Sequence, residues 1–143
     1  IWSQTSWRWL EIKLIELGFL KPSNPYKIVF VLDKECMFRR KAPSGKKKRG
    51  KAFKPLELIW SKFPCWTRVN TLHVDDVKAN FGLNPQNGIH CTSWRVEDTE
   101  DIELLQLANY LQIIAKKQED MSSFDHSQWL LLLSESMKKG KTL

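Results

Sequence analysis

Four polar side chains stand at the ends of apolar segments, where folding can bring distant residues together. Ser3 follows the first two residues, Lys54 begins a predicted helix, and Asp75 and Asp76 follow the apolar segment Thr71–Val74. A hydroxyl can donate a hydrogen bond to a phosphate oxygen, and a lysine ammonium can offset charge that develops there. Adjacent carboxylates can bind a hard cation such as Mg²⁺. These residue types together indicate phosphoryl transfer.

Each of these signals has an ordinary structural explanation when it is taken alone. A serine at a strand end is more often a helix cap, and a lone lysine at a helix start is usually solvated. The adjacent pair Asp75 and Asp76 is more informative, because two like charges cost free energy unless a cation offsets them.

The first third of the chain predicts a parallel sheet that could position these groups. Ile1–Ser3 is typical of the end of a buried strand, and Thr5 or Ser6 can cap a helix that Gly18 ends. The apolar face of that helix comprises Trp7, Leu10, Leu14 and Leu17. Tyr26–Leu32 is a continuous apolar run, as expected of a strand covered on both faces. Strand, helix and strand at this spacing predict parallel pairing, and ligands bind at the carboxyl ends of parallel strands.

Further elements follow. Short strands are predicted at Cys36–Arg39, Thr71–Val74 and Ile89–Cys91, and helices from Pro55 to about Phe63, over Ile102–Ala115 and over about Ser127–Met137. The predicted core face of the longest helix comprises Leu104, Leu107, Ala108, Leu111 and Ile114. We also expect Trp7, Trp9 and Trp60 to be core residues, and His73 to be a hydrogen-bonded core histidine.

Composition narrows the class of protein. Three widely spaced cysteines favour a reducing compartment, nuclear or cytoplasmic, and argue against a zinc site. No apolar run approaches the roughly 18 residues that span a membrane, so no membrane association is expected. The net charge of +7 favours anionic partners.

Much of the positive charge lies in Arg39–Lys51, which predicts an exposed loop or hairpin tip. Its densest part comprises Lys46, Lys47, Lys48 and Arg49. A solvated loop tip, a docking surface for a phosphorylated or acidic protein, and a nuclear-import signal all fit this charge. Nucleic-acid binding is not favoured, because no DNA- or RNA-binding motif accompanies it.

The order of the motifs resembles one protein family. Ile1–Trp9, Lys54–Leu56, Val74–Phe81 and Asn84–Gly88 are together similar to the FCP1-homology, or NLI-interacting-factor-like, phosphatases of the haloacid dehalogenase superfamily. The resemblance runs from Ile1 to about Lys117 and extends weakly to His126–Trp129. It implies a three-layer, Rossmann-like α/β fold with a central parallel sheet. It also implies a Mg²⁺-dependent protein serine/threonine phosphatase that acts through a phospho-aspartyl intermediate.

The resemblance also implies roles for the four polar residues. Ser3 matches the phosphate-binding hydroxyl, and Lys54 matches the lysine that steadies the phosphate and the nucleophile. Asp75 and Asp76 match the acidic motif, in which the position of Asp76 usually binds Mg²⁺; we assign Asp75 to both catalysis and metal binding.

One motif of the family does not occur in these 143 residues. The family's DxDxT supplies the nucleophilic aspartate, on a central strand that we expect to precede Ile1. Residues 1–143 are therefore interpreted as the C-terminal part of a single domain, with the basic loop at about 39–51 and C-terminal helices at about 100–138. Asp33, with a second acid at Glu35, follows a similar apolar strand, but its order in the chain and the missing threonine argue against a nucleophile.

Three hypotheses follow from the sequence. The first is a phosphatase whose residues 1–143 alone are inactive. The second is a phosphatase-like module that binds protein segments without catalysis, and the third is a nucleic-acid-associated protein that uses the basic loop.

Overall fold

The chain folds as two units, Ile1–Lys54 and Pro55–Leu143, in a computed structural model that describes residues 1–40, 50–117 and 119–139. Helices and strands occur in both units, which confirms the mixed α/β class. No helix in these ranges is both long enough and apolar enough to cross a membrane.

Helix α1 (Trp7–Glu16) is the main element of the first unit. Leu10 and Leu14 are buried, one turn apart on the same face, and Gly18 ends the helix with φ at 71°. The wider predicted face is wrong at its ends, because Trp7 is 48% exposed and Leu17 is 66% exposed. Trp9 is also exposed, so neither tryptophan of α1 is a core residue.

The first residues pair in parallel with the segment that ends at Leu32. The Leu32 amide donates to the Ile1 carbonyl oxygen at 2.8 Å, and the Ser3 amide donates to the Leu32 carbonyl oxygen at 2.9 Å. This confirms the parallel direction, but regular pairing is limited to a bridge between Trp2 and Leu32. The prediction that 26–32 is a strand buried on both faces is wrong, since Val29 is 66% exposed. An apolar run forms a doubly covered strand only where both faces have partners.

Strands β1 (Phe38–Arg39) and β2 (Ala52–Phe53) form an antiparallel pair at the base of the basic segment. β1 begins later than predicted, because Lys34–Cys36 forms a 3₁₀ turn. The exposed loop or hairpin tip between these strands stays a prediction. Residues 41–49, with the densest basic run, lie outside the described residues.

The second unit contains a parallel pair, β3 (His73–Asp75) and β4 (Gly88–His90). His73 lies opposite Gly88, and Asp75 lies opposite His90. The predicted strands exist with shifted bounds, and Asp76 directly follows the end of β3. The three-layer arrangement stays a prediction.

Three helices complete the second unit: α2 (Glu57–Lys62), α3 (Glu103–Lys117) and α4 (Trp129–Lys139). α2 starts after Pro55, and α4 starts after a 3₁₀ turn at His126–Gln128. Their core comprises Ile89, Leu107, Tyr110, Ile114, Trp129 and Leu133. Leu104, which is 69% exposed, was wrongly predicted on this face; Tyr110, which is 1% exposed, takes the core position instead.

Candidate active site

Lys54 and Ser3 lie close together within the first unit. Lys54 is a buried residue, with 5% of its surface exposed. Its ammonium donates a 2.8 Å hydrogen bond to the Trp2 carbonyl oxygen. That carbonyl belongs to the peptide group that joins Trp2 to Ser3. The Ser3 hydroxyl lies 3.0 Å from the Thr5 hydroxyl and accepts a 3.2 Å bond from the Thr5 amide. The fold therefore brings an ammonium and a hydroxyl to the same turn, from positions 51 residues apart.

Asp75 is a buried carboxylate at the end of β3 in the second unit. Its Oδ1 accepts a 2.9 Å bond from the Val77 amide and a 2.7 Å bond from the Asn80 side-chain amide. Its Oδ2 lies 3.2 Å from His73 Nε2. A carboxylate oxygen accepts hydrogen bonds, so Nε2 carries the proton and donates it. His73 is thus hydrogen-bonded inside its strand, as predicted.

Asp76 differs from its neighbour because its side chain is exposed. Its Oδ2 accepts a 2.6 Å hydrogen bond from the Ser93 hydroxyl. Its carbonyl oxygen accepts a 3.1 Å bond from His90 Nε2 at the end of β4. The two carboxylates of this motif therefore differ in environment: that of Asp75 is buried in the second unit, and that of Asp76 is exposed.

Acidic side chains lie near the Cys91 thiol, just beyond β4. Burial raises the pKa of the Cys91 thiol above its usual value, and the charges of Glu103, Asp76 and Asp75 raise that pKa further. A thiol just beyond β4 thus senses both aspartates of the motif. A region of this kind favours a cation.

The acidic motif fits a hard divalent cation on the chemistry of its donors. Mg²⁺ is usually bound by one or two carboxylates, with water and substrate phosphate completing its coordination. The outward carboxylate of Asp76 meets that need, and Asp75 stands beside it with its oxygens engaged by protein donors. Over the described ranges, no group of three or more His, Cys, Asp or Glu side chains is arranged to hold a metal ion. A protein cage of such ligands is not required for Mg²⁺.

A cavity of about 550 Å³ begins beside this motif, at Ser93. Carboxylates rim it, from Glu97, Asp98, Glu100, Asp101 and Glu103, and its apolar lining includes Ile102 and Leu130. Three of these acids have local structural roles: Asp98 and Asp101 accept backbone amides of Arg95 and Glu103, and Glu103 accepts the amide of Thr92.

Sequence reasoning missed the residues that hold the two aspartates. Asn80 follows Asp75 by five positions, and Ser93 follows Asp76 by 17. The Asn80 spacing was a usable signal, because a short turn after a strand brings such a residue back to the strand end. Ser93 gave no such signal, since it reaches Asp76 only through the pairing of β3 with β4.

Asp33 has a structural role that accounts for a carboxylate at this position. Its Oδ1 accepts the Glu35 amide at 2.9 Å, and its Oδ2 accepts the Trp7 amide at 3.1 Å. The carboxylate thus caps a 3₁₀ turn and the first turn of α1.

Comparison with known proteins identifies the family to which this chain is similar. The sequence profile described as "NLI interacting factor-like phosphatase" matches residues 17–122, which include Lys54, Asp75 and Asp76. Ser3 lies before the matched range. Within the described part of the chain, the three cysteines are free thiols.

Individual relatives are similar over nearly the whole chain. A zebrafish (Danio rerio) protein named ubiquitin-like domain-containing CTD phosphatase 1 is 38% identical over 97% of this chain and 43% of its own length. The human protein of that name is 39% identical over 99% of this chain and 43% of its own length. The Drosophila melanogaster one is 37% identical over 90% of this chain and 40% of its own length. The chain thus spans about two-fifths of the length of these relatives, and the resemblance to NLI-interacting-factor-like phosphatases found in the motifs is confirmed.

Proposed function

Since this chain belongs to the NLI interacting factor-like phosphatase family, we propose that it forms part of a Mg²⁺-dependent protein phosphatase. The substrate class is a protein that carries phosphoserine or phosphothreonine. We further propose that the complete domain has the three-layer α/β fold and works in the nucleus or cytoplasm. The phosphatase class comes from the family and from relatives that are named CTD phosphatases; the remaining statements are proposals about this chain.

The observation that carries the proposal is the difference in burial between the adjacent carboxylates of Asp75 and Asp76. Asp75 is buried and accepts three hydrogen bonds, whereas Asp76 is exposed at the end of a parallel strand. Adjacent like charges repel each other, and a bound cation would offset that repulsion. An outward carboxylate beside a fixed one supports cation binding at the end of the strand.

In the proposed reaction an aspartate nucleophile, which we expect to precede Ile1 in the complete domain, attacks the phosphorus atom. A bond forms between a carboxylate oxygen and phosphorus, and the bond from phosphorus to the serine or threonine oxygen breaks. The leaving oxygen takes a proton from a general acid. Water then gives a proton to the conjugate base of that acid and attacks phosphorus; the bond from phosphorus to the aspartate oxygen breaks, which releases inorganic phosphate and restores the carboxylate.

This chain's residues would stabilise the group in transfer. Lys54 would offset negative charge on phosphate oxygens, and Ser3 would donate a hydrogen bond to one of them. Burial of Lys54 supports its role, because an ammonium shielded from water interacts more strongly with a phosphate. Asp76, with Asp75, would hold Mg²⁺, whose chemistry is to screen the phosphate charge so that an anionic nucleophile can approach.

The direct test is a phosphatase assay of the complete natural protein on phosphoserine and phosphothreonine peptides, with Mg²⁺ and with excess chelator. We expect phosphate release that requires Mg²⁺. The chemical test for the intermediate is trapping of an acid-stable, hydroxylamine-sensitive phosphoryl group on the protein. Phosphopeptide binding without phosphate release at any Mg²⁺ concentration would refute the enzyme and favour a non-catalytic binding module.

A further inference from the structure

The hydrogen bonds around Asp75 set the direction of Asp76. Asp75 Oδ1 accepts the Val77 amide at 2.9 Å, which closes a turn of three residues with Asp76 at its centre. While this turn is closed, the backbone of Asp76 has little freedom, and its side chain points away from the buried carboxylate. Whatever fixes the Asp75 carboxylate therefore also fixes the outward position of Asp76.

Asn80 and His73 donate hydrogen bonds to that carboxylate. Asn80 is 2% exposed and donates to Oδ1 at 2.7 Å, so the Val77 amide and the Asn80 amide share one oxygen. His73 donates to Oδ2 at 3.2 Å from the opposite side. The side chains of His73 and Asp75 are only 9% and 6% exposed, so these bonds lie in a region of low dielectric, where hydrogen bonds to a charge are strong.

Packing holds the two donors in place. The His73 ring meets the Phe81 ring edge to face, with 5.7 Å between ring centroids. Phe81 follows Asn80 in the same 3₁₀ turn, Lys78–Phe81, so one turn carries both the amide donor and the ring that supports His73.

We infer that Asn80 and His73 are positioning residues for the proposed phosphatase, and that Asn80 is the more important of the two. They touch neither the phosphate nor the metal; they act through Asp75 to keep Asp76 in the orientation that binds Mg²⁺. The inference rests on the proposed function for its kinetic consequences, while the hydrogen bonds can be tested without catalysis.

The kinetic test compares Asn80→Ala with Asn87→Ala in the complete protein. Asn87 is the matched control, because it is also 2% exposed and, among the described residues, its side-chain amide donates to the carbonyl oxygens of Arg68 and Thr71. Loss of a group that orients a metal ligand typically costs about 10–100-fold in activity or metal affinity. We expect Asn80→Ala to lower kcat and to raise the Mg²⁺ concentration for half-maximal activity within that range, with little change in the KM for peptide.

Asn87→Ala should lower the melting temperature without this kinetic change. If both variants change kcat equally for equal losses of melting temperature, Asn80 is merely structural and the inference is wrong. If Asn80→Ala does not fold, Asn80→Leu roughly keeps the volume, removes the donor without adding a charge and provides the same comparison.

The conservative variant tests His73. His73→Gln retains a side-chain N–H that can reach Asp75, whereas His73→Leu does not. We expect Gln to keep more of the wild-type kcat than Leu at comparable melting temperature, and the opposite order would contradict the role.

A readout that is independent of turnover separates this inference from the proposed function. In NMR spectra of the protein, the Asn80 side-chain amide protons should exchange slowly with solvent, and Asp75→Ala should speed that exchange while leaving the Asn87 side-chain amide unchanged. Fast exchange in the wild type would overturn the inference even in an active phosphatase. Slow exchange in a protein without phosphatase activity would leave the hydrogen bonds standing and refute the proposed function.

Discussion

The Lys54 ammonium donates a 2.8 Å hydrogen bond to the Trp2 carbonyl oxygen across 52 residues of sequence. Because Trp2 immediately precedes Ser3, this bond holds the buried Lys54 ammonium against the peptide group that joins Trp2 to Ser3, whose hydroxyl belongs to the proposed phosphate site. It also gives the lysine a structural role, so its catalytic role must be tested with a control for stability.

Lys54→Ala should lower kcat of the complete protein by about 100-fold or more, as removal of a charge-stabilising group does in other enzymes. Lys62→Ala, which removes an exposed lysine at the end of α2, should leave kcat unchanged. Single-turnover kinetics on a phosphopeptide measure the chemical step, and circular dichroism reports the fold. An unchanged chemical step in folded Lys54→Ala would remove Lys54 from the mechanism.

Asp76→Ala should abolish Mg²⁺-dependent turnover and leave the fold largely intact, because the side chain is exposed and one hydroxyl contacts it. Ser93→Ala is an informative companion, since it removes that hydroxyl and retains the carboxylate. We expect it to alter Mg²⁺ affinity far less than Asp76→Ala does. Isothermal titration with Mg²⁺ measures both, and Mg²⁺ binding that survives in Asp76→Ala would show that the metal assignment is wrong.

The elements that follow from local sequence patterns could be predicted. The features that depend on residues distant in the chain could not. The β3 and β4 strands and the long α3 helix follow from short apolar patterns, and so their existence was predictable. The core face of α3 was not, because Tyr110 can be buried only where its hydroxyl finds a partner, and that partner is His126, 16 residues away.

The same limit applies to the candidate site. Asp75 and Asp76 were recognisable because an acidic pair ends an apolar strand, whereas their different burial depends on Asn80, His73 and Ser93. For the apolar run 26–32, the sequence predicted burial that the structure does not show. Its composition fits a covered strand, but composition does not supply the neighbouring strand that would cover it.

Gly88→Ala should destabilise the second unit by about 1–3 kcal/mol, which is typical of overpacking. A Cβ added at Gly88 would overlap the ring of Phe81, which is buried beside His73. The free energy of unfolding from urea titration measures the loss. Combining Gly88→Ala with Phe81→Leu gives the control, since the smaller side chain leaves room for the methyl group.

If overlap with Phe81 is the cause, the double variant should lose less stability than the sum of the single variants. Strict additivity would show that Gly88 is required for another reason, such as its backbone pairing with His73 in the sheet.

His126 predicts how stability depends on pH. Its side chain is 3% exposed, and its Nε2 lies 2.7 Å from the Met121 carbonyl oxygen, so Nε2 carries a proton. Nδ1 lies 2.8 Å from the Tyr110 hydroxyl, which can donate to it when the ring is neutral. Burial lowers the pKa of His126 below its usual value, although the Met121 bond and the charge of Asp125 act in the opposite direction.

A histidine with a lowered folded-state pKa binds fewer protons than it does in the unfolded chain. The free energy of unfolding therefore falls as pH drops through the ordinary histidine value of about 6.5 towards the lower folded-state pKa. Hydrogen bonds from Ser122 and Ser127 lower the pKa of Asp120 and Asp125, respectively, so their contribution to stability is lost only in more acidic solution. Urea unfolding between about pH 7.5 and 5 therefore covers the range in which a histidine titrates and stays above the range in which these two carboxylates do.

His126→Gln is the matched variant, because glutamine has a donor for the Met121 carbonyl oxygen but does not titrate. We expect the variant to be less stable than the wild type at pH 7.5 and to show a weaker fall in stability towards pH 5. His90→Gln makes the same replacement at a less buried histidine of the same unit, whose Nε2 lies 3.1 Å from the Asp76 carbonyl oxygen, and serves as the comparison variant. If the two variants show the same slope as the wild type, the buried His126 does not control the pH dependence, and another group must protonate on unfolding.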